Sequence, residues 1–309
     1  MFDLDDAELP RILSADDVLP PVARESRTAR QIADSLARQL TTPIGPGIYT
    51  GVSQLDAALG AGLQPGEMAI IAADTGVGKS LLGFQVACHN AALGMGRVLY
   101  VSAEMPAEAL AMRFVTSLTE VPVSRQRGGY SVLTDDDWTG GESRFGAYRL
   151  PINEALAQFA ALDLEILDSG DFTMDDLERE VLTCENPRMV CIDYAQLIDT
   201  DGRTTSQAEA MKSICKRLRK LALRRLVIIA MAQINRAVEG RADKELRLSD
   251  IAETGSLAKD ASLVMMLERN LAGQDRSHTT VRIRKNRHGE PATVNLRFNA
   301  GRLVFEDMR

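Results

Sequence analysis

Residues 69–85 read AIIAADTGVGKSLLGFQ. The stretch opens as a short apolar strand, passes through a tight loop and continues as a helix. The loop runs Ala73, Asp74, Thr75, Gly76, Val77, Gly78, Lys79, Ser80. It fits the pattern G-x-x-x-x-G-K-[ST] except that Ala73 stands at the first glycine. Binding a phosphate chain needs backbone N–H groups turned inward at the start of a helix, where the helix dipole favours anions. Gly76 and Gly78 permit that backbone path, Lys79 can reach the β- and γ-phosphates, and the Ser80 hydroxyl can ligate Mg²⁺. A glycine-rich turn with a surface lysine is the plainer alternative. The strand before, the helix after and the intact G-K-S core together favour an ATP and Mg²⁺ site.

Outward from the loop the chain alternates strand and helix. Short apolar strands are expected at Met68–Ala72, Val98–Ser102, Leu164–Leu167, Met189–Ile192, Val227–Ala232 and Leu263–Leu267. Helices are expected at Ser80–Leu93, from Pro106 to about Leu118, at Asp175–Cys184 and at Ser206–Leu223. The last of these places Met211, Ile214, Cys215, Leu218 and Leu221 on one face. Thr280–Arg284, Thr293–Phe298 and Leu303–Phe305 look antiparallel, with turns at His288-Gly289 and Ala300-Gly301. Residues 121–150, rich in Gly, Asp and Arg, suggest an irregular, mobile excursion. The pattern implies an α/β fold: a mostly parallel twisted sheet with helices on both faces and a C-terminal antiparallel extension. Such sheets bind ligands at the carboxyl ends of their strands. Asp193, ending MVCIDY, is placed there to support the metal, and Glu104, just past VLYVS, to polarise an attacking water. Either acid alone would be an ordinary strand-end residue; their weight comes from coinciding with the loop.

The whole chain has 309 residues, 45% of them hydrophobic and 26% charged, an ordinary balance for a globular protein. No apolar run approaches a membrane span, and the acidic start lacks a signal-peptide layout. The four cysteines (Cys88, Cys184, Cys191, Cys215) are scattered, which fits a reducing cytoplasm and argues against a disulfide scaffold or a cysteine zinc site. The net charge of −7 is uneven: seven acids and two arginines fall in residues 1–25, twelve Lys/Arg and four acids in 203–247. A low overall balance therefore leaves room for a local polyanion-binding surface. Residues 1–25 suggest a flexible acidic tail. Residues 26–47 suggest a connector helix and linker, with Ile32, Leu36 and Leu40 forming a narrow apolar stripe before Pro43, Gly45, Pro46 and Gly47. That helix either packs on its own domain or docks on a neighbouring subunit. Residues 48–309 form the main domain.

Five stretches, TGVSQLDAALGAGLQPGEMAIIAADTGVGKS, VSAEMPAEALAMR, VCIDYAQLI, AQINRAVEGRADKELRLSDIAETGSLAKDA and RKNRHGEP, occur in an order that resembles the C-terminal ATPase domain of the DnaB-type replicative helicases. Alanine at the first loop position is itself typical of that family. The resemblance runs from about Thr50 to Phe305. It implies a RecA-like P-loop ATPase fold, a homo-oligomeric ring of six subunits with ATP bound between them, and single-stranded DNA in the central channel. It also implies residue roles. Lys79 and Ser80 hold phosphate and Mg²⁺, Asp193 supports the metal, and Glu104 is the catalytic base. Gln233 senses the γ-phosphate and relays its state to the DNA loops. Lys285 and Arg287 are supplied by the neighbouring subunit, Arg287 as an arginine finger.

The chain departs from the family in two places. Only about 45 residues precede the matched stretch, room for a connector helix rather than the family's helical N-terminal domain, so primase is not expected as a partner, whereas a helicase loader is. In the DNA-facing loop Ala252 stands where a basic residue is expected. Glu253 and Gly255 keep backbone amides there for a phosphate, and Arg203, Arg236, Arg241 and Lys244 are further DNA-contact candidates. The leading expectation is an ATP-driven helicase or translocase on single-stranded DNA. The alternatives are a RecA-like ATPase acting as an assembly switch or loader without unwinding, and a nucleotide-binding ring or filament with little turnover.

Overall fold

The computed structural model describes residues 26, 28–41, 47–128, 133–142, 148–168, 172–195, 207–234, 246–251, 255–271 and 275–308. In chain order these form α1 (Ala29–Thr41), α2 (Ser53–Leu59), β1 (Met68–Ala73), α3 (Lys79–Ala92), β2 (Arg97–Ser102), α4 (Ala107–Thr119), α5 (Val123–Arg127) and α6 (Asp135–Thr139). There follow β3 (Gly141–Glu142), β4 (Tyr148–Arg149), α7 (Ile152–Ala160), β5 (Leu164–Leu167), α8 (Met174–Thr183), β6 (Pro187–Asp193), α9 (Gln207–Ala222) and β7 (Val227–Gln233). The chain closes with α10 (Gly255–Asp260), β8 (Leu263–Arg269), β9 (His278–Asn286), β10 (Ala292–Asn299) and β11 (Val304–Asp307). The expected acidic tail and most of the Pro/Gly linker lie outside the described residues.

β1 is the centre of a nine-stranded sheet of order β11-β10-β9-β8-β1-β7-β6-β2-β5. From β8 to β5 the strands are parallel, and β9, β10 and β11 add on antiparallel. This is the expected architecture. Every residue of β1 is buried, because helices cover both faces. Alternation along the strand sends Met68, Ile70 and Ala72 into one core with α8 and α9, and Ala69, Ile71 and Ala73 into the other with α3. On α9 the expected face of Met211, Ile214, Cys215, Leu218 and Leu221 is buried. Among the described residues no helix is long and apolar enough to cross a membrane.

The stretch 121–150 differs from the irregular excursion expected of it. Where described, it contains α5, α6 and the β3–β4 pair. Val121 joins Val115, Ile152 and Ala155 in a small third core, with Leu133 packed against it. Asp137 locks α6 in place: its carboxylate accepts from the Thr134 N–H at 2.8 Å and pairs with Arg125 at 2.6 Å. Among the described residues a few scattered apolar side chains and the Arg125–Asp137 ion pair order this part, and no periodicity announces them. Helices α2 and α7 were also not anticipated. α2 has seven residues, too few for a periodic signal, and is held by a distant partner: Asp307 accepts from the Ser53 and Gln54 N–H groups at 3.2 and 2.8 Å. The carboxylate caps the positive end of the helix.

Candidate nucleotide site

Parallel strands deliver the site. In register, Ala73 of β1 lies beside Gln233 of β7, and Ser102 of β2 beside Asp193 of β6, so four strands end at one edge. The loop from Ala73 to Ser80 leaves that edge and turns into α3. Gly76 and Gly78 have φ of 78° and 118°, a region that disfavours side chains. At Gly78 there is also no room: a Cβ would come 2.7 Å from Cζ of Phe305. The helix begins with no side-chain cap, so its first turn faces the loop with uncompensated positive dipole.

Lys79 is buried, and its Nζ lies 4.9 Å from the centre of the Tyr194 ring. The Ser80 hydroxyl donates to Oδ1 of Asp193 at 2.9 Å. The Tyr100 hydroxyl donates to Oδ2 of the same carboxylate at 3.2 Å. Burial pushes the Asp193 carboxyl above its ordinary value; the Ser80 hydrogen bond and the Lys79 charge pull it back. Gln233 reaches into the loop, donating from Nε2 to the Thr75 hydroxyl at 2.9 Å. Glu104 is exposed at the same edge, in a bend tied down by the Ala103 N–H donating to the Asp193 carbonyl at 2.9 Å. The expected residues Asp74, Thr75, Gly76, Val77, Gly78, Lys79, Ser80, Glu104, Asp193 and Gln233 are thus brought together.

Three more residues belong to this edge and were not singled out from the sequence. Arg269, at the end of β8, donates to the Gly76 carbonyl at 2.8 Å and stacks 4.1 Å from the Phe298 ring centre. Its Nε and Nη1 are buried without a hydrogen-bond partner. Arg113, on α4, stands in the field of Tyr100, Asp193 and Glu104, and burial lowers its pKa. Tyr194 lies close enough to Glu104 and Asp193 to feel both charges, though burial does most to raise its pKa. Arg113 and Tyr194 sit inside the quoted motifs; Arg269 carried only the signal of ending an apolar strand.

A divalent cation fits this donor set. One hydroxyl and one buried carboxylate, both oxygen donors, suit Mg²⁺, which takes few protein ligands and completes its shell from phosphate and water. Among the described residues no cluster of three His, Cys, Asp or Glu could hold a metal instead.

Lys285 and Arg287 are elsewhere. β9 runs antiparallel to β8, with Thr280 opposite Glu268 and Lys285 opposite Val264. The Arg287 N–H donates to the Ser262 carbonyl, and the Ser262 N–H to that of Met68. Both cations therefore lie at the amino end of β1, about 16 Å from its loop end at ~3.3 Å per residue. There they grip the last carbonyls of α10. Lys285 Nζ donates to Ala258 and Lys259 at 3.0 and 2.8 Å, and Arg287 donates to Lys259 at 3.2 Å. Burial, then the Arg287 charge, lowers the Lys285 pKa.

Of the DNA-contact candidates, Gly255 opens α10. Arg203, Arg236, Arg241, Lys244 and Glu253, with Ala252, lie outside the described residues. A separate cavity of about 440 Å³ lies between α3, α4 and the end of α7, lined by Leu81, Phe84, Cys88, Phe114, Leu118 and Leu162 among others.

The model of the family described as DnaB-like helicase C terminal domain matches residues 47–307. The chain is 31% identical over 275 residues to the replicative DNA helicase DnaB of Haemophilus influenzae, covering 85% of this chain and 55% of the relative. It is 33% identical over 270 residues to that of Leifsonia xyli subsp. xyli, covering 85% and 56%. The chain thus spans about half the length of these relatives. Among solved structures, an isolated ATPase domain superimposes with a TM-score of 0.80 at 21% identity, covering 92% of this chain and all of that one. A DnaB-like replicative helicase, described with its interactions with primase, gives 0.79 at 22%, covering 91% and 69%. The RadB recombinase gives 0.54 at 17%, covering 85% of this chain and all of that one, which places the fold in the RecA-like class.

Proposed function

The chain belongs to the DnaB-like helicase C-terminal domain family, and from that premise we propose that it is an ATP-driven motor that assembles as a ring of six and translocates on single-stranded DNA. The observation that carries this reading is the division of the charged set between the two ends of the sheet. Lys79, Ser80, Glu104, Asp193 and Gln233 gather at the loop end, while Lys285 and Arg287 stand at the opposite end. Head-to-tail packing of copies would bring one chain's Lys285 and Arg287 to the next chain's loop.

In that arrangement Lys79 neutralises the β- and γ-phosphates of ATP. Ser80 and Asp193 hold Mg²⁺, which when bound draws charge from the phosphates. Glu104 polarises the attacking water, and Arg287 from the neighbour stabilises charge on the transferring phosphoryl group. Gln233, already on the loop through Thr75, senses the γ-phosphate. Glu253 and Gly255 precede and open α10, and that helix's last carbonyls hold Lys285 and Arg287. DNA at the start of α10 would therefore be felt at the finger. Arg203, Arg236, Arg241 and Lys244 supply further phosphate contacts.

α1 is the proposed connector to the next copy. Its Ile32 and Leu36 are each 51% exposed, so the chain's own domain leaves these two side chains half uncovered. The apolar cavity beside α3 and α4 is the groove such a helix would enter on a neighbour. We assign residues 1–25 as a tail, 26–47 as connector and linker, and 48–309 as the motor domain, with a helicase loader as a partner.

Ala252, in place of a basic residue, favours a second reading: an assembly switch or loader that hydrolyses ATP without unwinding. Hydrolysis measured with and without single-stranded DNA, beside strand displacement on a forked duplex, separates them. DNA-stimulated hydrolysis with displacement is expected. Stimulation without displacement would select the switch, and absence of hydrolysis would overturn both.

A further inference from the structure

We propose that Tyr100 is a positioning residue of the nucleotide site: its buried hydroxyl fixes Asp193 so that one carboxylate oxygen stays on Ser80. The proposal rests on the reading of Ser80 and Asp193 as the metal-holding pair, and extends it to a residue that touches neither nucleotide nor metal.

Tyr100 sits in the interior of β2, between Ile166 of β5 and Cys191 of β6, with no exposed surface. Its strand neighbours Val98, Leu99 and Val101 are aliphatic, and packing alone would be served by another such residue. A tyrosine in the interior brings a hydroxyl that needs a partner. Here the partner is Oδ2 of Asp193, at 3.2 Å, while Oδ1 accepts from Ser80 at 2.9 Å. The terminal torsion of an aspartate is soft, with broad wells. Two donors on two different oxygens remove that freedom. The ring itself is held edge-on by Phe84 of α3, with centroids 5.3 Å apart and planes at 79°. Phe84 lies one helical turn beyond Ser80, so α3 grips both ends of the chain Phe84–Tyr100–Asp193–Ser80. The carboxylate is thereby aimed at the loop before any nucleotide arrives.

Tyr100→Phe removes the donor and keeps the ring against Phe84. The measurement is the affinity of the full-length protein for a fluorescent ATP analogue across a Mg²⁺ titration, and again in a chelator without metal. The Mg²⁺ concentration giving half of the metal-dependent tightening should rise about ten- to a hundredfold, the effect of losing one hydrogen bond to a charged group. Metal-free affinity should match the unsubstituted protein. An unchanged Mg²⁺ response, or equal weakening with and without metal, would overturn the proposal. Asp193→Asn is run beside it. If it loses the Mg²⁺ response while Tyr100→Phe keeps it, only the Tyr100 assignment falls. If Asp193→Asn also responds normally, the metal-pair reading itself falls.

Discussion

At Gly78 two independent constraints meet. Its φ of 118° disfavours any side chain, and Phe305, from the far end of the chain, occupies the space a Cβ would need. The turn it makes delivers Lys79 to a buried position beside Tyr194 and lets Ser80 reach Asp193. Lys79 and Glu104 then differ in what they contribute. Lys79 is buried under the loop, where no other loop side chain carries positive charge; Glu104 stands exposed at the edge. Lys79→Ala is expected to weaken nucleotide binding and lower hydrolysis by about 10²-fold or more, since a phosphate clamp is lost. Glu104→Gln should keep nucleotide affinity and lower hydrolysis by ~10²–10⁴, the contribution of a general base. Affinity by equilibrium titration and turnover by phosphate release check both. Equal loss of affinity in Glu104→Gln would make that acid structural.

At the scale of elements, α1 and the 121–150 segment contrast. The segment has few apolar residues, yet it finds cover: Val121 is 1% exposed, and Asp137 is 2% exposed while bonded to Arg125. α1 has a clear stripe, and its Ile32 and Leu36 stay half exposed. Burying the exposed half of each side chain is worth about 0.7–1.5 kcal/mol, a contribution to a subunit contact rather than the whole of one. The double substitution Ile32→Asp, Leu36→Asp should leave the main domain's melting temperature unchanged and lower the oligomeric mass in light scattering. Unchanged mass would mean that the stripe does not join copies. The small third core of 121–150 was not legible in the sequence because its members come from α4, the segment itself and α7, none with a period of its own. α9 was legible because its five apolar positions repeat at helical spacing over 16 residues.

For the molecule as a whole, sheet polarity is the deciding property. Six parallel strands place the loop, Glu104, Asp193 and Gln233 at one edge, and the reversal at β9 carries Lys285 and Arg287 to the other. No motion of one arginine side chain spans a strand of six residues. Arg287→Ala should therefore bind nucleotide and assemble, yet hydrolyse about 10³–10⁵ more slowly, the range for a lost arginine finger. Mixing it with Lys79→Ala chains should restore part of the turnover, because some interfaces then join an intact loop to an intact Arg287. Full activity of Arg287→Ala alone would remove the finger assignment. No recovery in mixtures shown to co-assemble would mean that isolated working sites cannot fire.

The phosphate loop, the acids at strand ends, the buried strands and the apolar face of α9 follow from the sequence by itself, since each depends on spacing within one or two dozen residues. Backbone path, helix period and strand alternation are local properties, and local order in the chain records them. Tyr100 on Asp193, Arg269 on Gly76, Asp307 on α2 and Phe305 against Gly78 were decided only by the tertiary structure. Their partners are separated by up to 254 residues and meet through strand order. The same holds for the distance between Arg287 and its own loop. It depends on β9 pairing beside β8: the antiparallel extension was legible in the sequence, but its partner strand and register were decided by long-range hydrogen bonding and burial.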